Sequence, residues 1–307
     1  MQFNQEDLAA LNPPALEDWA VSSKVIKITT LGENEKPYRC ASGFIINNHG
    51  DIYLYTCWHV VTGISQLKPE FKVPPIPKFI KISGYNVSKA PEYFHNTRKK
   101  IDVKTGDIVT IGSSKEFTFP LYDSDGKPLW EQQKGCEQEN SDLEAINIKI
   151  PYTDVVRLKI QLPEEISALW ALDSRHLEYM CRPKMWDTVF IMGFPYGYSA
   201  TTESCPTPIA LRRMIASWAT GNADKTLLDG AGVRGMSGGP IYSEDKKLIG
   251  IYQGKLYADY NSFESEKRRV PNDENSALGY MTEYYCIGMM FGDLFFDTDK
   301  FTFKFRS

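Results

Sequence analysis

The chain breaks into short apolar runs that alternate with polar residues and stop at glycine, proline, asparagine or aspartate. Val25-Ile26-Lys27-Ile28-Thr29-Thr30 has this period of two. So do Ala41-Ser42-Gly43-Phe44-Ile45-Ile46 and Ile52-Tyr53-Leu54-Tyr55-Thr56, which flank the turn Asn47-Asn48-His49-Gly50-Asp51. A period of two buries one face of a strand, and a turn of that chemistry joins two strands as a hairpin. Phe79–Tyr85, Asp107–Ile111, Phe117–Leu121, Asp142–Ile150, Asp154–Ile160, Asp187–Gly193, Ile209–Trp218, Thr226–Asp229, Ile241–Tyr242, Leu248–Tyr252 and Ala277–Met281 continue the series. Few stretches carry a helical period. Such a chain folds as mostly β, in a sandwich or a barrel.

Composition narrows the classes of function. The chain has 307 residues, 42% hydrophobic and 24% charged, with a formal net charge of -4. That is enough chain for one large or two small cores, and its acidic balance argues against a protein built to hold nucleic acid. No run reaches the length of a membrane span, and the polar, acidic start Met1–Asp7 is not a secretory signal, so the expected location is the cytoplasm, with export as an effector by a non-classical route left open. The six cysteines include no C-x-x-C pair. Hence no metal site and no cofactor are expected, and free buried thiols are the default. Cys40 and Cys57 flank the first hairpin and are the one pair that a disulfide would join.

Residues 1–22 read as an N-terminal extension, 23–162 as a first β unit, 163–186 as a partly helical connector, 187–282 as a second β unit and 283–307 as a C-terminal helix and tail. Two stretches carry chemistry. Gly235-Met236-Ser237-Gly238-Gly239-Pro240 places a hydroxyl in a glycine-rich loop before a strand. A glycine at Gly235 permits a turn in which the N–H groups of Gly235, Met236 and Ser237 aim at one point, an oxyanion hole. Cys57-Trp58-His59-Val60-Val61 places an imidazole at the end of a buried strand. An unassisted serine hydroxyl is a poor nucleophile, so a base and an acid that orients the base must accompany it. His59 is the base. Asp142 is the first choice for the acid and Asp154 the alternative, since each opens a strand. The order is then His, Asp, Ser, and the nucleophile does not sit in a G-x-S-x-G turn after a strand and before a helix, so neither order nor context is that of an esterase.

These blocks resemble the chymotrypsin/trypsin-like serine peptidases, most nearly the bacterial trypsin-like peptidases without a signal. The resemblance runs from about residue 24 to 282, and G-x-S-G-G-P is its most specific part. It implies two six-stranded antiparallel β-barrels with the triad His59, Asp142 and Ser237 in the cleft between them. It implies a serine endopeptidase acting on protein or peptide substrates through an acyl-enzyme. The alternative is a catalytically latent trypsin-like binding or scaffold protein that needs an activating partner. The resemblance also places Ala231 at the base of the specificity pocket, where trypsin carries an acid, and Ile251, Tyr252, Gln253 and Gly254 along its wall. Arg/Lys specificity is therefore not expected. Met236 stands where trypsin-type zymogens carry the aspartate that pairs with a new N-terminus, so activation by that salt bridge is excluded.

Overall fold

The computed structural model describes residues 21–64, 76–85, 114–132, 137–138, 150–151, 153–174, 183–198, 206–217, 225–255, 278–291, 294–297 and 302–305. The first strands follow the alternation closely. β1 (Val25–Leu31), β2 (Pro37–Asn48) and β3 (Asp51–Thr56) form an antiparallel meander. His49 and Gly50 both take positive φ, as a tight hairpin turn of right-handed twist requires, and Gly50 N–H donates to Asn47 Oδ1 at 2.8 Å. β4 (Phe79–Tyr85) pairs with β1, and β5 (Ser114–Pro120) pairs with β4. β9 (Val156–Lys159) pairs with β3, and β6 (Trp130–Gln132) pairs with β9. Between β6 and β9 lies a separate two-stranded pair, β7 (Glu137–Gln138) and β8 (Ile150–Pro151).

Two closed six-stranded barrels do not form. The first sheet runs β5-β4-β1-β2-β3-β9-β6 and stays open at β5 and β6, while β10 (Ala171–Asp173) adds an eighth strand beside β2. The cause lies in β2, which has 12 residues and changes neighbours along its length. Its pairing with β1 ends at Phe44, and past that point β10 takes the freed edge in parallel, opposite Ile45, Ile46 and Asn47. The sheet therefore curls and gains a strand without joining its ends. The helix Glu164–Trp170 leads into β10, and its Trp170 is fully buried in the core of this sheet with Ile26, Ile28, Leu54 and Ile80.

The second unit does close. β11 (Thr188–Gly193), β12 (Ile209–Ser217), β13 (Thr226–Leu228), β16 (Gly279–Glu283), β15 (Leu248–Lys255) and β14 (Pro240–Ser243) form a barrel in that order, and β14 returns to β11. Val189, Ile191, Ile215, Met236, Ile241, Ile249 and Met281 fill it. A third apolar cluster bridges the two units: Val25, Phe44, Ile46, Tyr55 and Val155 pack with Met192, Phe194, Leu248, Ile251 and Ile287. Burial of that many large side chains binds the units into one body. The expected C-terminal helix is shorter than the apolar tail suggests. It spans Tyr284–Met290 and gives way to a hairpin, β17 (Leu294–Asp297) with β18 (Thr302–Phe305).

Candidate functional site

His59 follows directly on β3. β3 ends at Thr56, Cys57 takes an extended conformation, and the helix Trp58–Thr62 begins at once, so His59 lies in its first turn. Gly63 closes this helix in the left-handed conformation, φ 77°. Trp58, Val60 and Val61 are buried beneath it and fix its orientation, leaving the His59 ring partly open.

The acid is Asp154. Its Oδ2 lies 2.6 Å from His59 Nδ1, and its Oδ1 accepts the His59 backbone N–H at 2.9 Å. The two contacts grip the ring and the backbone of one residue together. Strand register explains the choice. Thr56, the last residue of β3, pairs with Val156, the first of β9, so the segment leaving β3 and the segment entering β9 lie side by side, with His59 on the one and Asp154 on the other. Asp154 carries 3% side-chain exposure, and the carboxylate thus faces the imidazole in a dry site. The carboxylate that meets His59 is thus that of Asp154, the alternative, and Asp142, the first choice, lies outside the described residues. With Nδ1–H given to the carboxylate, Nε2 is left as the basic nitrogen.

The third member of the cluster is Cys57, not Ser237. One ligand-type atom each from Cys57, His59 and Asp154 lies within 4.8 Å of the others. Ser237 is half-buried, and among the described residues its hydroxyl makes no hydrogen bond to His59. This overturns the expectation of an assembled Ser-His-Asp catalytic triad, and with it the reading of the chain as a serine endopeptidase working through an acyl-enzyme. Nor is Cys57 a thiolate nucleophile. Burial first, and the Asp154 carboxylate second, push its thiol well above the ordinary value of 9.0, and its Sγ points to Tyr252 O at 3.4 Å. A neutral thiol is neither an attacking group nor a metal ligand without losing its proton. The three side chains are also one short of a closed tetrahedral zinc set. The disulfide considered for Cys40 and Cys57 is not made, and both are free thiols.

The serine loop is held by the first sheet. Ser42 N–H donates to Ser237 O at 2.9 Å, and Ser42 Oγ donates to Gly235 O at 2.8 Å while accepting Phe194 N–H at 2.9 Å. Gly235 has φ 99°, and a Cβ there would meet Phe194 O at 2.4 Å, so only glycine fits. Of the three N–H groups expected to form an oxyanion hole, that of Met236 is already given to Val233 O at 3.1 Å. Those of Gly235 and Ser237 have no acceptor among the described residues. The Met236 side chain is fully buried in the barrel core, which is why an apolar residue stands there.

The expected pocket residues are mostly occupied inside the barrel. Ala231 O accepts Arg213 Nη2 at 2.8 Å. Tyr252 is 1% exposed, and its hydroxyl accepts Gly232 N–H at 2.7 Å. Gln253 is equally buried and donates from Nε2 to Thr282 Oγ1 at 2.6 Å. Gly254 lies opposite Tyr280 in the β15–β16 pairing. Sequence reasoning missed the cleft beside Gly235, of about 260 Å³, lined by Tyr38, Arg39, Cys40, Tyr196 and Arg234 among others. Its residues come from three separate segments, and no local pattern announces them.

A family model described as a trypsin-like peptidase domain matches residues 41–251. No curated protein matches the sequence. Among solved structures, the chain is similar to the HtrA-type protease AlgW with tripeptide, at 15% identity and TM-score 0.46, covering 91% of this chain and 64% of that one. It is similar to a serine endoprotease from Yersinia pestis, at 14% and 0.45, covering 91% and 66%. The MamO protease domain from Magnetospirillum magneticum (apo form) matches at 16% and 0.44, covering 88% and 96%. The chain thus spans just under two thirds of the length of the first two. Among the described residues, no helix is long and apolar enough to cross a membrane.

Proposed function

The chain belongs to the trypsin-like peptidase domain family, and from that premise we propose that it is a catalytically latent trypsin-like protein that binds a protein or peptide partner and depends on that partner for any activation. One observation carries this reading. The His59–Asp154 pair is formed, but the side chain clustered with it is a buried, neutral thiol, and the Ser237 hydroxyl is not engaged by the imidazole. A general base must reach the proton that it abstracts, and among the described residues no hydroxyl or thiol is hydrogen-bonded to this one. The oriented imidazole and the two open N–H donors of the serine loop are parts of a site that a change in the loop would complete.

The test is exposure of the isolated protein to a fluorophosphonate probe, read by intact mass and peptide mapping, with Ser237→Ala as background. The expected result is no labelling of wild type above the variant. Rapid labelling of Ser237 in the isolated, folded protein would refute latency.

A further inference from the structure

The cleft beside Gly235 carries two guanidinium groups that no acid satisfies among the described residues. Arg39, on β2, donates from Nη1 to Gly63 O at 3.0 Å, and no described carboxylate pairs with it. Arg234, exposed in the serine loop, has no described partner for its side chain. The two repel each other. After burial, the charge of Arg234 is the second cause that lowers the ionisation of Arg39. Like charges held together in a concave site are costly in the empty protein and are relieved by an anion. The protein as a whole is acidic, with net charge -4, so this positive spot is a local feature and not a general basic surface.

The rim favours a polypeptide over a bare ion. Tyr196 is 74% exposed and Tyr38 37% exposed, and Tyr196 sits at φ 53°, a conformation that costs a non-glycine residue energy. Exposed tyrosines beside arginines are what peptide-binding surfaces collect, because they bury large area at low entropic cost. We propose that this cleft is the docking site for an acidic segment of the partner protein, with its carboxylates bridging Arg39 and Arg234. This rests on the partner-dependent reading above and deepens it. The cleft is coupled to the site through covalent geometry. Arg234 O accepts Tyr196 N–H at 2.6 Å, and the same peptide group carries the Gly235 N–H of the serine loop. A ligand that pulls Arg234 toward Arg39 therefore acts on the loop that bears Ser237.

The experiment uses fluorescein-labelled hexaglutamate as probe and measures anisotropy at low salt, with labelled hexaglutamine as the neutral control. The expected result is hexaglutamate binding that exceeds the control and weakens with salt. Arg234→Gln, at an exposed position, is expected to fold and to lower affinity about tenfold, and Arg39→Gln to do the same. Equal binding of the two peptides, or unchanged affinity in Arg234→Gln with an unchanged melting temperature, overturns the proposal. So does full displacement of hexaglutamate by equimolar inorganic phosphate, which assigns the cleft to a free anion. Binding is read without any reaction, so this result is independent of fluorophosphonate labelling. Labelling of the isolated protein together with arginine-dependent peptide binding would remove latency and leave the docking site standing.

Discussion

Gly238→Ala tests whether the seam between the two units holds the serine loop. Gly238 has φ 82°, and Gly126, in a surface turn, has φ 76°. A Cβ at either position takes a left-handed conformation, which costs about 1–2 kcal/mol for an L residue, so this part cancels between the two variants. The surroundings do not cancel. At Gly126 a Cβ meets nothing within 4 Å, whereas at Gly238 it meets Ser42 O and Thr56 Oγ1 at 2.3 Å and Thr56 Cα at 3.0 Å. Those two oxygens are the partners of one buried hydrogen bond, Thr56 Oγ1 to Ser42 O at 2.9 Å. Relief is blocked on the loop side, because Gly238 N–H donates to Tyr252 O at 2.8 Å and Ser237 O accepts Ser42 N–H at 2.9 Å. The seam must open or the hydrogen bond must break. Overpacking of this kind costs about 1–3 kcal/mol, and loss of a buried hydrogen bond adds about 1 kcal/mol. Gly238→Ala should therefore exceed Gly126→Ala by about 2–4 kcal/mol in urea unfolding followed by fluorescence and circular dichroism. A difference below about 1 kcal/mol, near the error of extrapolated free energies, would refute the claim that the loop and β2 are rigidly joined there.

Three further outcomes concern the dyad and its neighbour. Because burial raises the Cys57 thiol above its ordinary 9.0, the folded chain keeps that proton where the unfolded chain loses it, so this group leaves stability unaffected below pH 9 and reduces it as pH rises beyond that. Folded protein at pH 8 should show iodoacetamide on the partly exposed Cys40 and none on Cys57 by peptide mapping, and modification of Cys57 at a comparable rate would overturn the buried, neutral assignment. Asp154→Ala strips the His59 ring and backbone of their acceptors and should cost about 3 kcal/mol of stability, with loss of the slowly exchanging, low-field ring-proton NMR signal; persistence of that signal would mean that another group holds Nδ1–H.

The strands that carry the chemistry were legible because each has a period of two and ends on a turn residue. β1 to β4 and β11 to β16 lie close to where the alternation places them. The acid was not legible in the same way. Asp142 and Asp154 each open an apolar run, and nothing local separates them. The deciding fact is the pairing of Thr56 with Val156, a contact across a hundred residues of chain. The open sheet was hidden for a related reason. Ala171-Leu172-Asp173 is too short to show any period, and it pairs in parallel with the freed part of β2. The apolar tail misled through composition, since a run such as Leu294–Asp297 has too few residues to tell a strand from a helix. The proximity of Cys57 to the dyad comes from the turn between β3 and the next helix, which folds the residue two before His59 back toward Asp154.

The division of labour between the two units sets the energy scale for control. His59 and Asp154 both come from the first sheet, and Gly235, Met236 and Ser237 come from the barrel. The units themselves are held by a shared apolar core that no partner needs to disturb. The serine loop is joined to the first sheet mainly through Ser42, whose hydrogen bonds net about 1 kcal/mol each. Moving a loop from a state populated at one part in a hundred to near-complete occupancy needs about 5.5 kcal/mol of differential binding. Two charge-assisted hydrogen bonds from Arg39 and Arg234 to one acidic segment supply about 3–6 kcal/mol, if they form in only one of the two states. The upper end of that range matches what resetting the loop needs, the lower end shifts it only in part, and neither separates the units. A device of this size responds to a partner in a graded way, because losing either arginine removes about half of the available bias and leaves the fold intact.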